Sequence, residues 1–313
     1  MRGPLMGQVL LLGLIQAGIY ALFAVGIVFV YRATRVLTFA GGEIGTASLY
    51  VAALVSTRAG LPWGVGALAA VTSAVLLGAA FEFLLVRRAV DADPVVLSIL
   101  TVGLALTLLS VETLAFGSSP QGLAPPFRGG VELAGIVLSP TMIASLVVAA
   151  ALGLGLQSAL RRTDFGLGIL AAAEDPAAVR LVGVPLARIR LVVWSASAGP
   201  AAVAALLVEP TVGFVTPGYA STLYLGGLVA AVLGGLTSLS GAVIGAVVLG
   251  LTESVAQRLF GDAGIPNLNY VVDLMLLLLA LVGRNALPGL VAWIYPPPPA
   301  APTSTPVAEE IPA

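Results

Sequence analysis

Nine stretches of this 313-residue chain run for roughly twenty residues or more with hardly a charged side chain among them. They lie at about 5–31, 39–57, 62–86, 95–116, 139–160, 189–208, 219–236, 240–260 and 270–287. A run of about 20 apolar residues matches the roughly 30 Å hydrocarbon core of a bilayer. Inside lipid every backbone N–H and C=O needs an internal partner, which leaves helices or closed barrels. The runs show no apolar–polar alternation, so the expected fold is all-α and polytopic, with eight or nine transmembrane segments. Only 9% of residues are charged, against about 25% in a soluble domain, so most of the exterior must face lipid. The first run, Leu5–Tyr31, is too long for the apolar core of a signal peptide and reads as a membrane element.

The charged minority excludes whole classes of function. All 14 basic residues are arginine, net charge is −1, and neither histidine nor cysteine occurs. Disulfides, thiolate sites, histidine triads, haem ligation and most zinc sites are therefore ruled out. No basic footprint for nucleic acid exists, and no nucleophile–base or metal set marks an enzyme.

Arginine in short loops orients a membrane protein. Arg87 and Arg88 close one segment, while Arg161, Arg162, Arg180, Arg188 and Arg190 cluster around 161–190. Both regions are expected on the cytoplasmic side, and 117–138, with Arg128 alone, on the outside. Arg2 and the pair Arg32/Arg35 flank the first segment and leave the side of the N-terminus open. The stretch 210–240 is rich in glycine and proline, which predicts a broken or re-entrant piece. "SLYVAALV" (48–55) and "TLYLGGLV" (222–229) form a weak internal repeat, each after a glycine-rich break. Paired interrupted segments in two halves are a feature of transporters. After Trp293 the proline-rich "IYPPPPAAPTSTPVAEEIPA" is expected to be a disordered tail. The expected layout is a membrane domain over 1–290 and a tail over 291–313.

One polar island, "AAAEDPAAVRLVGVPLARIR" (171–190), interrupts this pattern. Asp175 suits a helix N-cap, Pro176 the first helical position and Gly183 the position after the last turn. Between them Pro176–Val182 forms two turns, roughly 10 Å long, too short to be stable unless docked.

"TDFGLGILAAAEDPAAVRLVGVPLARIRLVVWSASAG" (163–199) resembles the signature loop of the permease subunits of branched-chain amino acid ABC importers. "RVLTFAGGEIGTASLYVAAL" (35–54) resembles that family's I-N-F-A-H-G-E segment, with Thr38 for Asn and Gly41 for His. "AAVLGGLTSLSGAVIGAVVLGLTES" (230–254) resembles its glycine-rich segment, with Thr237 and Ser240 for Gly and Pro. The resemblance spans about residues 8–290. It implies an inner-membrane, multi-pass permease importing branched-chain or related amino acids. It further implies a second permease subunit (homo- or heterodimeric), two ATP-binding cassette subunits and an extracytoplasmic solute-binding protein. ATP would be bound by those partners, the chain carrying no cofactor. A chain without lysine cannot hold a Walker A motif. The loop 161–190 would be the coupling element, with Ala172, Glu174, Asp175, Pro176, Arg180 and Gly183 meeting an ATPase.

A charge at mid-bilayer costs about 2.5–3.5 kcal/mol on insertion scales and usually faces the bundle interior. Glu43 follows Gly41–Gly42 and opens an apolar run, where a carboxylate compensates the helix dipole or lines a pathway. Thr38, Gly41, Gly42, Glu43, Gly234, Gly235 and Glu253 are the expected pathway residues, with Asp273 a weaker candidate. Glu82, Glu112 and Glu209 lie near segment ends and are expected at the interfaces. Gly241 and Gly245 have the spacing that lets membrane helices approach closely. Two other readings fit the same features. One is a permease of this type for another small solute such as a sugar, urea or amide. The other is an ion-coupled secondary transporter using Glu43, Glu253 and Asp273 as a relay.

Overall fold

A computed structural model describes residues 3–89, 92–122, 131–133, 136–138, 140–174, 179, 181, 185–212 and 214–286. Every one of the nine apolar stretches forms a helix. In chain order these are α1 (Gly3–Thr34), α2 (Gly41–Ala53, continued by a π-turn over Leu54–Arg58), α3 (Trp63–Leu84), α4 (Pro94–Phe116) and α5 (Pro140–Arg162). Beyond the amphipathic α6 (Asp164–Glu174) follow α7 (Leu186–Val212), α8 (Tyr219–Leu233), α9 (Leu239–Phe260) and α10 (Leu268–Ala286). The only strands among the described residues are β1 (Val131–Leu133) and β2 (Ile136–Leu138), a short antiparallel hairpin in the α4–α5 connection.

Among the described residues, five helices are long and apolar enough to cross a membrane by themselves: α1, α3, α4, α7 and α9. Two shorter apolar helices, Tyr219–Leu233 and Leu268–Val282, join them. α1 is the axis of the bundle. In its most apolar stretch 78% of residues are buried by neighbouring helices, against 11% for α4, whose apolar surface is left to lipid.

The chain folds as two halves of matching design. α1, α2, α3 and α4 have 32, 13, 22 and 23 residues, and α7, α8, α9 and α10 have 27, 15, 22 and 19. The contacts exchange in the same way. α1 packs on α9 as α7 packs on α3, α1 on α8 as α7 on α2, and α2 on α4 as α8 on α10. α2 and α8 run antiparallel, since Gly41 meets Tyr224, Gly42 meets Ser221 and Gly45 meets Ala220. The halves are thus inverted relative to one another, the arrangement in which many transporters bind solute between repeats. The match of 48–55 with 222–229 lies on the paired short helices α2 and α8.

The up–down order places Arg32 and Arg35 at the end of the bundle that carries Arg87, Arg88, Arg161, Arg162, Arg188 and Arg190, so α1 begins at the opposite end. Arginine enrichment is the mark expected of a cytoplasmic end.

Candidate functional site

Both short helices begin where the backbone leaves helical geometry. Arg35, with φ 58°, ends α1, and residues 35–40 run on without helix. Thr101, the eighth residue of α4, reaches this segment about 10 Å along its helix. Its hydroxyl accepts from Phe39 N at 3.0 Å, and Ser98 Oγ accepts from Leu37 N at 3.2 Å. Tyr224 Oη donates to Thr38 O at 2.7 Å. Irregular backbone is tolerated within a membrane only where protein buries and satisfies it, and here three side chains of α4 and α8 do so.

α2 then starts with Gly41, Gly42 and Glu43. A side chain at Gly41 would overlap the Tyr224 ring, and a Cβ at Gly42 would sit 2.6 Å from Ser221 Cα. The two glycines therefore let α8 lie close on the start of α2, Gly41 against the Tyr224 ring and Gly42 against the Ser221 backbone. Glu43, 5% exposed, accepts from Ser221 Oγ at 2.6 Å through Oε1.

α8 opens on Gly218, whose φ of 74° favours glycine and which has no side chain to cap the helix. Its first amides are capped by other helices. Thr46 Oγ1 of α2 accepts from Ala220 N at 3.0 Å, and Glu112 Oε2 of α4 from Gly218 N at 3.3 Å. Carboxylates at a helix N-terminus also suit its dipole. Glu112 lies beside Glu43, carboxyl to carboxyl and within hydrogen-bond reach. Tyr50, stacked on Phe116 at 4.1 Å, has a buried hydroxyl without a partner and lies within electrostatic reach of both.

Across α1 and α8 lies a second polar group. Glu253 of α9, 3% exposed, accepts from Tyr20 Oη of α1 at 2.8 Å. Asp273 of α10 stands beside Glu253, 8% exposed. Glu253 also lines a groove of about 540 Å³ between α1, α9 and α10. The same Tyr20 ring fills the space over Gly226 of α8.

The expected pathway residues therefore occupy three places. Thr38, Gly41, Gly42 and Glu43 come together at the α2–α8 junction, and Glu253 faces the groove. Gly234 and Gly235 sit at the far end of α8, where Gly234 and Gly241 bring α8 and α9 into backbone contact. Of the coupling-loop residues, Ala172 is buried on α6. Glu174 ends α6. Asp175, Pro176, Arg180 and Gly183 lie outside the described residues, as does the tail over 291–313.

Two expectations need correction. Glu82 and Glu112 lie near helix ends, but their side chains are packed inside the bundle and do not reach outward, 2% and 3% exposed. Glu82 pairs with Arg190 of α7 at 3.7 Å. Closeness to a helix end fixes depth but not rotation, and both carboxylates are rotated inward. The side chain of Glu209 lies outside the described residues.

Several participants were absent from the expected set, namely Tyr20, Thr46, Tyr50, Ser221 and Arg258. Gln16 and Tyr20, four residues apart and so on one helix face, were a readable polar mark in the apolar α1.

A helical bundle of two inverted halves, with broken segments and buried carboxylates at their junction, defines a membrane transporter. The family profile for the branched-chain amino acid transport system permease component matches residues 9–281, and the chain belongs to that family. It is an ABC-type permease of the inner membrane, not an enzyme. The high-affinity branched-chain amino acid permease BraD of Pseudomonas aeruginosa is 28% identical over 291 residues, covering 88% of this chain and 93% of that protein. LivH of Escherichia coli strain K12 is 26% identical over 259 residues (78% and 84% of the two chains). The probable LivH of Methanocaldococcus jannaschii is 26% identical over 263 residues (80% and 81%). Among solved structures, PsaBC from Streptococcus pneumoniae in complex with Fab aligns over 87% of this chain and 89% of that one, with TM-score 0.47 and 18% identity.

Proposed function

We propose that this permease imports branched-chain amino acids, driven by separate ATPase subunits that dock on the loop 161–190. In this reading a second permease closes the pore and a solute-binding protein delivers the substrate from outside. Thr38, Gly41, Gly42, Glu43, Gly234, Gly235 and Glu253 belong to the moving wall of the pathway.

The observation that carries the coupling role is the two-faced surface of the loop. Gly166, Ile169, Ala172 and Val179 are buried on the chain's own bundle, whereas Phe165, Leu167 and Leu181 point outward, Leu181 90% exposed. α6 is held firmly: Thr163 Oγ1 accepts from Gly166 N at 3.0 Å as its N-terminal cap. A rigid element touching α1, α5 and α7 can pass a displacement of an attached subunit into the middle of the bundle. Its exposed leucines give such a subunit an apolar grip.

Two variants test this. Asp175→Ala with Gly183→Val takes away the cap that the sequence predicts, worth about 0.5–2 kcal/mol, and puts a β-branched residue where the sequence predicts a glycine turn. Leu181→Asp places a charge in the contact face. Both proteins are expected in the membrane at normal levels but without co-purifying ATPase and without uptake. Normal uptake in both variants would refute the coupling role.

A further inference from the structure

The groove between α1, α9 and α10 combines features that an apolar membrane surface does not otherwise hold. One wall is aliphatic, formed by Val9, Leu12, Ile15 and Ile19 of α1. The other carries Glu253 and Arg258, five residues apart on α9 and so separated by about 7.5 Å of rise. Arg258 is exposed at the mouth, near the end of the bundle opposite the arginine cluster. Gln257 Nε2 donates to Asn269 Oδ1 at 2.8 Å and ties α9 to α10 beside it. Behind the groove, Glu253 and Asp273 lie carboxyl to carboxyl within hydrogen-bond reach of each other, while Tyr20 Oη donates to Glu253 Oε2. Two carboxyls so placed share one proton and one negative charge. An ammonium group, with three N–H donors and a positive charge, would take the place of that proton and meet both carboxyls at once.

Negative charge inside, positive charge at the mouth and an aliphatic wall between them match one kind of molecule. Resting on the function proposed above, we infer that this groove binds the transported amino acid as a zwitterion. Glu253, backed by Asp273, takes the ammonium group, Arg258 takes the carboxylate, and the α1 wall takes the branched side chain. The assigned orientation is ammonium first, toward the bundle interior. Tyr20 is a positioning residue, since it holds Glu253 and packs over Gly226 of α8, the helix that reaches the Glu43 junction.

The test uses the complete transporter, purified with its partner permease and ATPases but without the binding protein. Retention of radiolabelled leucine is measured in competition with leucinamide, which lacks the carboxylate, and 4-methylpentanoate, which lacks the ammonium. Wild-type complex is expected to retain leucine and to resist both analogues. Glu253→Gln and Arg258→Gln should each weaken leucine binding by about ten- to a hundredfold, the scale of one charge-assisted hydrogen bond. Arg258→Gln should then no longer distinguish leucine from leucinamide, and Glu253→Gln no longer distinguish it from 4-methylpentanoate. Glu253→Asp should recover part of the affinity. Arg258 is exposed at a helix end, so its variant keeps the inference testable even if Glu253→Gln fails to accumulate. Unchanged leucine affinity and selectivity in Arg258→Gln would overturn the assignment, as would a wild-type complex that retains none of the three. ATP-driven leucine uptake by the same wild-type preparation separates the two readings: uptake with wild-type KM in both variants sinks the groove and leaves the importer standing.

Discussion

Glu82 and Arg190 illustrate what a charged residue does inside this bundle. Glu82 is 2% exposed and its Oε1 lies 3.7 Å from Arg190 Nε, between α3 and α7. Removing one partner of a buried pair strands the other and typically costs about 3–5 kcal/mol, whereas removing both can be nearly neutral. Glu82→Ala should therefore lower the thermal midpoint of the purified protein sharply, and Glu82→Ala with Arg190→Ala should recover much of the loss. Equal destabilisation by the single and double variants would contradict the pairing. Glycines make a parallel case. At Gly234 a side chain would collide with the Gly241 carbonyl, while at Gly103 nothing lies within 4 Å. Gly234→Ala should destabilise by about 1–3 kcal/mol or more through overpacking, and Gly103→Ala should be neutral or slightly stabilising through helix propensity. Thermal unfolding of the two variants in detergent, side by side, checks the contrast.

At the scale of elements, the unusual parts are the two short helices. α8 has 15 residues, about 22 Å of rise, and cannot span the hydrocarbon alone. Its start and that of α2 depend on side chains from other helices. Replacing Ser98 with Ala and Thr101 with Val strips the acceptors from Leu37 N and Phe39 N. Each orphaned amide should cost about 1–3 kcal/mol, and hydrogen exchange over 35–42 should rise well above that of α3. Unchanged protection there would mean that the segment is held in another way. Much of this layout was legible beforehand because the signals are local. Long apolar runs mark helices, and the glycine-rich breaks mark the short ones. α6 was missed because Asp175 and Pro176 drew the punctuation of the polar island downstream, although Ile169 and Ala172 already form an apolar face. The trans-capping of α8 was not readable at all. Thr46 and Ala220 are 174 residues apart, and nothing local in either announces the other. The rotation of Glu82 and Glu112 was hidden for a similar reason, since amphipathic patterning is weak in helices that are apolar all round.

At the scale of the molecule, the inverted halves place α1 and α7 at the centre and cross-pack each with the third helix of the other half. A push on α6, which rests on α1, α5 and α7, therefore reaches both halves. The Glu43 junction and the Glu253 groove lie on either side of α8 and α1, linked through Tyr20 and Gly226 on one side and Tyr224 and Gly41 on the other. The faint repeat of 48–55 in 222–229 hinted at this symmetry, but its inverted sense depended on helix directions that the ambiguous arginines around α1 left undecided.

The central claim is that ATP hydrolysis on other subunits moves an amino acid through this bundle. Uptake of radiolabelled leucine into proteoliposomes holding the permease pair, its ATPases and the binding protein measures it directly. The account predicts accumulation that requires ATP and is abolished by a hydrolysis-deficient ATPase. Accumulation driven by a proton or sodium gradient with no ATP present would contradict it.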